Sequence, residues 1–402
     1  MESTRRVTIL QRRLVRYRVG MFERLRAECK AVGIDLRVVY GQASPNDAKR
    51  NDGGHLEWGD EVSSRWFSVR GLEFLWQSCP MEARRCDLLI LTQESKILSN
   101  YPFLLTRRLA FGWRGLAPLR GRGHGRQRRP MRRQLAYWGH GRNLQSTNPD
   151  GLRERWKLLL LTKVDWWFAY NSRGKRLLTE LGYPASRTTS LENAIDNEGF
   201  AADLAAITDE QLDELRAEID LAAEAPLGLY CGALYADKRI DLLVEVAKRL
   251  HDADPSFRLV VVGDGPVRAD LEELLADKSW ARCVGTQYGL DKAAWFRLAT
   301  VQISPGAVGL HILDSFASGV PLFTTDNARH GPEIDYLDHG RNGFILEDDP
   351  DVQANAILDL LNDPPRRRAV TEAGLADAGR YTVDNMVTNF VNGIVECLDA
   401  GS

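Results

Sequence analysis

Three short segments of this chain stand out for their glycines, and one of them adds two cations where an anionic ligand would lie. In Gly232-Ala233-Leu234-Tyr235-Ala236-Asp237-Lys238-Arg239, two cations follow closely on an apolar run. A lysine there is a mobile point charge that suits a diphosphate, although such a residue can equally be a plain surface cation. Gly263-Asp264-Gly265-Pro266 reads as a tight strand-to-helix turn, with Pro266 fitted to a first helical position. In Pro305-Gly306-Ala307-Val308-Gly309-Leu310, the glycines let backbone N–H groups come close to a phosphate at the positively polarised start of a helix. Leu310, Leu313, Phe316 and Ala317 then share the sheet-facing side of that helix. His311, Asp314, Ser315 and Ser318 lie opposite, with Asp314 placed to bond a ribose diol. Earlier in the chain His140 stands between Gly139 and Gly141 after an apolar run, where its imidazole can reach a ligand or simply pack.

Such residues need strands whose carboxyl ends bring the loops together. In the second half, Leu227–Cys231, Leu259–Val262, Val301–Ser304 and Pro321–Thr324 read as strands. They alternate with helix-period segments near 240–251, 267–277, 290–298 and 310–318. That alternation predicts a parallel, doubly wound sheet, which binds ligands beyond the carboxyl ends of its strands. The first half predicts a less regular α/β domain with strands at Val7–Leu10, Leu36–Tyr40, Asp87–Thr92, Leu135–Trp138, Trp166–Tyr170 and Thr188–Leu191. The expected organisation is a first domain over 1–200, an acidic helical linker over 201–225, a second domain over 226–380 and an amphipathic closing helix over 381–402.

Composition narrows the function classes. A chain of 402 residues with 44% hydrophobic content can bury full cores in two domains. Lys plus Arg (53) nearly balances Asp plus Glu (55), so net charge gives no general attraction to nucleic acid or anionic lipid. The six cysteines show no metal-ligand spacing, which argues for reduced thiols and a cytoplasmic setting. No apolar run is long enough to span a bilayer, and none resembles a signal peptide. Locally, 107–133 holds ten arginines and no acid, with Phe111 and Trp113 among them. This stretch reads either as a solvated loop or as a docking surface for phosphate groups of an anionic membrane or lipid-diphosphate acceptor. Nucleic-acid binding has only this basic run behind it and no accompanying fold motif. Asp348-Asp349-Pro350-Asp351 reads as a surface turn rather than a metal site.

Gly232-x-Leu234 with Lys238, Gly263-Asp264-Gly265-Pro266, the run from Gly309 to Pro321, and Gly340-x-Asn342-Gly343-Phe344 occur in the order found in retaining family 4 glycosyltransferases. The similarity covers roughly 226–346, the nucleotide-sugar half of that family. Tyr137-Trp138-Gly139-His140-Gly141-Arg142-Asn143, Asn193-Ala194-Ile195-Asp196, and Arg16-Tyr17-Arg18 ahead of Phe22 resemble its first half more loosely. The resemblance implies a GT-B fold, two Rossmann-like doubly wound domains facing a central cleft. It also implies transfer of a hexose from a UDP- or GDP-sugar to a glycan or lipid-linked acceptor, with retention. The nucleotide-sugar would be a co-substrate, with no metal and no other cofactor.

In this family reading Lys238 and His140 are the candidate catalytic residues. The donor contacts would be Gly232, Lys238, Arg239, Gly265, Gly306, Val308, Gly309, Leu310, Asp314 and Glu333. Arg18, His140, Arg142 and Asn143 would meet the acceptor. The setting implied is cell-surface polysaccharide or glycolipid biosynthesis, with the protein peripheral at the inner face of the plasma membrane. The chain departs from the family at three places: the glutamates of its Glu-x7-Glu element would fall at 306 and 314, where Gly306 and Asp314 stand, and its second diphosphate cation at 233, where Ala233 stands. Glu333 is a candidate to take over contact with sugar hydroxyls, although Pro332-Glu333 also suits a helix start. A non-catalytic binding protein of the same fold is the alternative.

Overall fold

Short runs of leucine and β-branched residues, such as Leu259–Val262, carry no alternating polar face, so they belong in sheets covered on both sides. The computed structural model describes residues 4–44, 47, 52–69, 71–106, 133–141 and 160–401. The chain divides into two units, Met1–Glu192 with Asp384–Ser402, and Asn193–Val383. Each of the expected strands is present within two residues of its expected ends.

The first unit holds a seven-stranded parallel sheet in the spatial order Asp60–Val62, Ile34–Gly41, Arg5–Gln11, Leu88–Thr92, Gln134–Gly139, Trp166–Ala169, Thr188–Ser190. The antiparallel hairpin Ser64–Val69 with Leu72–Gln77 was not expected from the sequence. It alternates only weakly, and Phe67, Val69, Leu72 and Trp76 remain exposed.

The second unit holds six parallel strands in the order Ala281–Gly285, Arg258–Val262, Leu227–Cys231, Val301–Ile303, Leu322–Thr325, Gly343–Leu346. Taken in chain order this is 3-2-1-4-5-6, the Rossmann arrangement, and its direction reverses between Leu227–Cys231 and Val301–Ile303. Helix Ile240–Ala253 turns Leu243, Val246, Ala247 and Leu250 onto one face of the sheet. Helix Gly289–Leu298 covers the other with Trp295, Phe296 and Leu298.

Two boundaries differ from expectation. The stretch 201–225, expected as an acidic helical linker, is helical, within Asn197–Ala206 and Asp209–Glu218 and the turn after them, but Leu204, Leu212, Ile219 and Leu221 join Phe200 in the core against Leu229 and Val260. Its acids occupy the outer face, while each buried leucine stabilises by about 1.5–3 kcal/mol. Thr208 and Gln211 form a capping box that starts the second helix. The closing helix, Val383–Ala400, belongs from Asp384 onward to the first unit. There Phe390 packs edge-on to Trp138 with ring centroids 5.0 Å apart, and lies 4.7 Å from Phe168. Among the described residues no helix is long and apolar enough to cross a membrane.

Candidate functional site

At the reversal point of the second sheet, the loops after Cys231 and Ile303 leave neighbouring strands side by side. The first runs through Gly232 to a short 3-10 turn, Ala236–Lys238. Its neighbour after Val262 lies against it backbone to backbone, with Leu234 N–H donating to Asp264 O at 2.9 Å. Glycine is needed for that approach: a Cβ on Gly265 would sit 2.2 Å from Leu234 O. Gly265 therefore holds two loops together.

Gly306 makes a closer approach of the same kind. A Cβ there would lie 2.3 Å from Asp237 O and from the Lys238 backbone, so an acid at this position has no room in this backbone. Ala307 N–H donates to Asp237 O at 2.9 Å, and the Lys238 ammonium donates to Ala307 O. An ammonium has three donors, so two remain for a ligand. Desolvation holds the Lys238 pKa below its ordinary value, partly offset by Asp237. Val308 is buried, while Gly309 and Leu310 are half-buried ahead of helix Ile312–Ser318.

Arg239 takes a left-handed backbone (φ 52°) just before helix Ile240–Ala253, and its guanidinium pairs with Asp348 at 2.7 Å. Lys238 is therefore the cation tied to the 305–309 turn. Asp349 caps helix Pro350–Leu361 by accepting from the N–H groups of Asp351 and Val352, which gives the acidic run a structural role.

Asp314 departs from the exposed position expected for a ribose ligand. Its side chain is 8% exposed and meets the Lys292 ammonium at 2.7 Å. Burial opposes the charge on Lys292, but Asp314, Cys231 and the hydrogen bond outweigh it and raise the Lys292 pKa. The expected open polar face is not there: within helix Ile312–Ser318, Asp314 and Ser315 are buried together with Ile312, Leu313 and Phe316, while Leu310 lies ahead of the helix and is half-buried. Glu333 is also buried, in the 3-10 turn Pro332–Tyr336, where it accepts from Asn193 Nδ2 at 2.8 Å. A Cβ on Gly331 would lie 2.7 Å from Glu333 Oε2 and 3.2 Å from Val308 O, so this carboxylate borders the same turn.

Histidines that sequence reading left in the background complete the arrangement. His311 Nε2 lies 3.0 Å from Ser304 Oγ, and burial, with the nearby charges of Lys238 and Lys292, pushes its pKa down to about 3. His330 Nδ1 accepts Val308 N–H at 3.1 Å. The signal for these was slight: each is a lone histidine beside a glycine-containing turn. Asn342, of the Gly-x-Asn-Gly motif, is wholly buried and ties Asp338 N–H, Tyr336 O and Asp377 together, so that motif builds the turn ahead of Gly343–Leu346.

In the first unit His140 follows the end of strand Gln134–Gly139. The residue is exposed, its ring lies 4.4 Å from that of Tyr170, and desolvation together with the Arg18 charge lowers its pKa. Arg18 is buried and stacks 4.6 Å over Trp138. The neighbouring glycines admit protein rather than opening space for a ligand, since Cβ atoms on Gly139 and Gly141 would strike Gln93 and Leu178. Gln93 exchanges two hydrogen bonds with the Gly141 backbone, a framing role with no signal in the sequence. Arg142, Asn143 and nearly all of 107–133 lie outside the described residues. Among the described residues no group of three His, Cys, Asp or Glu side chains is disposed to hold a metal ion.

Residues 225–363 match the family described as glycosyl transferases group 1. Sulfoquinovosyl transferase SQD2 of Arabidopsis thaliana is 28% identical over 165 residues, 39% of this chain and 31% of that protein. The lipopolysaccharide core biosynthesis glycosyltransferase LpsE of Rhizobium meliloti is 30% identical over 165 residues, 40% of this chain and 46% of that protein. The chain thus spans less than half the length of these curated relatives. Among solved structures, Anabaena Alr3699/HepE in complex with UDP superposes with a TM-score of 0.66 over 97% of this chain and 99% of that one, at 13% identity. Sucrose-phosphate synthase of Thermosynechococcus elongatus gives 0.64 over 99% and 100%, at 15% identity. At such identities the likeness is one of fold. Residues 225–363, within the second unit, are thus similar to the glycosyl transferases group 1, in a chain with the GT-B fold.

Proposed function

We propose that this chain is a glycosyltransferase that takes a hexose from a UDP- or GDP-sugar and passes it, with retention, to a glycan or lipid-linked acceptor. The observation that carries the reading is the meeting of Lys238 with the Gly306–Val308 turn at the strand-order reversal of a Rossmann-type sheet. In this reading the second unit holds the donor, and the remaining donors of Lys238 meet the diphosphate. Charge that develops on the departing nucleotide is then met by a preorganised cation, with no metal needed. His140 and Arg18 belong to the acceptor side, with Arg142 and Asn143. The printed names of relatives support a place in surface polysaccharide or glycolipid assembly, since LpsE is named for lipopolysaccharide core biosynthesis. The arginines of 107–133 support attachment at the inner face of the plasma membrane through anionic lipid.

A non-catalytic binder of the same fold is the second reading, favoured by Ala233 and by the lack of room for an acid at Gly306. A panel of UDP- and GDP-sugars, scored for thermal stabilisation and for nucleotide release, separates the two. The transferase reading expects release from at least one donor. Stabilisation without release favours the binder, and neither signal from any donor defeats both.

A further inference from the structure

The turn from Pro305 to Val308 is braced at every residue. Thr325 Oγ1 donates to Pro305 O at 2.7 Å, Thr324 Oγ1 to Gly306 O at 3.4 Å, and Gly331 N–H to Val308 O at 2.7 Å. The remaining braces grip a single peptide plane. Ala307 C=O and Val308 N–H belong to the same rigid amide, so turning one turns the other. The carbonyl end takes the Lys238 ammonium, and the N–H end donates to His330 Nδ1 at 3.1 Å. On its other side His330 Nε2 lies 2.7 Å from Thr325 O, the last residue of strand Leu322–Thr325. A carbonyl only accepts, so Nε2 carries the proton. Nδ1 faces an N–H, so it does not, and the ring is held as the neutral Nε2–H tautomer.

We propose that His330 is a positioning residue for Lys238: by fixing the Ala307–Val308 peptide plane against the neighbouring strand, it sets where the ammonium stands to meet the donor diphosphate. This rests on the donor reading given above. His330 touches neither sugar nor phosphate in this account and acts through one backbone amide.

Three substitutions divide the bonds. Asn places an acceptor where Nδ1 is and keeps the Val308 bond, Gln keeps only the donor toward Thr325, and Phe keeps the ring and neither bond. Nucleotide release from the best donor is measured for each, in wild-type and Lys238→Ala backgrounds, with unfolding midpoints alongside. His330→Phe should lower kcat about tenfold while donor KM stays within about threefold, because loss of placement is felt mainly in the transition state. His330→Asn should recover most of that loss, and the Phe effect should vanish once Lys238 is gone. An equal loss in both backgrounds, or an Asn variant as poor as Phe, would overturn the proposal. Should the Phe variant not fold, Asn near wild type with Gln well below it supports the assignment, and equal Asn and Gln values defeat it. Wild-type release that His330→Phe leaves intact defeats this proposal alone. Wild-type failure to release nucleotide from any donor removes the donor reading and this proposal with it.

Discussion

Asp314 shows how one carboxylate changes role with its surroundings. Because it is buried against the Lys292 ammonium, Asp314→Asn leaves a largely buried cation without its partner. The variant should lose about 3 kcal/mol of stability in a urea titration. A loss under about 0.5 kcal/mol would return Asp314 to the exposed position read from helical spacing. His311 gives a second prediction at this scale. Its folded pKa of about 3 lies below the ordinary 6.5, so between these values the unfolded chain binds the extra proton. Its contribution to stability is therefore complete above about pH 6.5 and is lost as pH falls toward 3. His311→Gln should flatten the stability curve across that window, measured by denaturant unfolding at several pH values, and an unchanged slope would count against the burial. The sequence left Lys238 open, since a cation just past a strand can equally be plain surface charge; its bond to Ala307 O comes from the structure. His330 and Lys292 were not legible either, since Val308 and Asp314, which they meet, are 22 residues away in each case and no local spacing announces them.

Elements place these residues through backbone contact. Gly306 was read from the sequence as freedom to approach a phosphate, whereas the structure spends that freedom on the Ala236–Lys238 turn. Gly306→Ala should push the two loops apart, at the roughly 1–3 kcal/mol typical of overpacking. Thermal-shift titration with UDP should then show affinity about tenfold weaker, since about 1.4 kcal/mol corresponds to one decade. Unchanged UDP affinity would mean that the contact between the loops is irrelevant to the ligand. The strands of both sheets were legible because parallel strands are continuous apolar runs with little else to become. Edge elements were less so: Ala281–Gly285 includes Arg282 and a register shift, and the hairpin over 64–77 buries little. The helical character of 201–225 was legible, but its charge count conceals a sparse apolar stripe, Leu204, Leu212, Ile219 and Leu221, which packs into the core.

At the scale of the whole molecule, the chain leaves the first unit at Glu192 and returns to it at Asp384. Phe390 and Ile394 are fully buried there, and Gly393 lies so close to strand Thr188–Ser190 that a Cβ would sit 2.2 Å from Thr189 Oγ1. Ending the chain after Val383 should therefore uncover Trp138 and Phe168 and unfold the first unit. Circular dichroism should record a partial loss of cooperative melting, and an unaltered melt would show the helix to be dispensable. The two-unit plan and its order were legible from the alternation of strands and helices, but the final crossing was not, because an amphipathic helix does not state which core it serves. A crystal structure with UDP or GDP bound tests the central claim most directly. Diphosphate oxygens should lie within about 3 Å of Lys238 Nζ, beside the 305–309 turn. A nucleotide bound elsewhere, with Lys238 engaged only by Ala307 O, would contradict it.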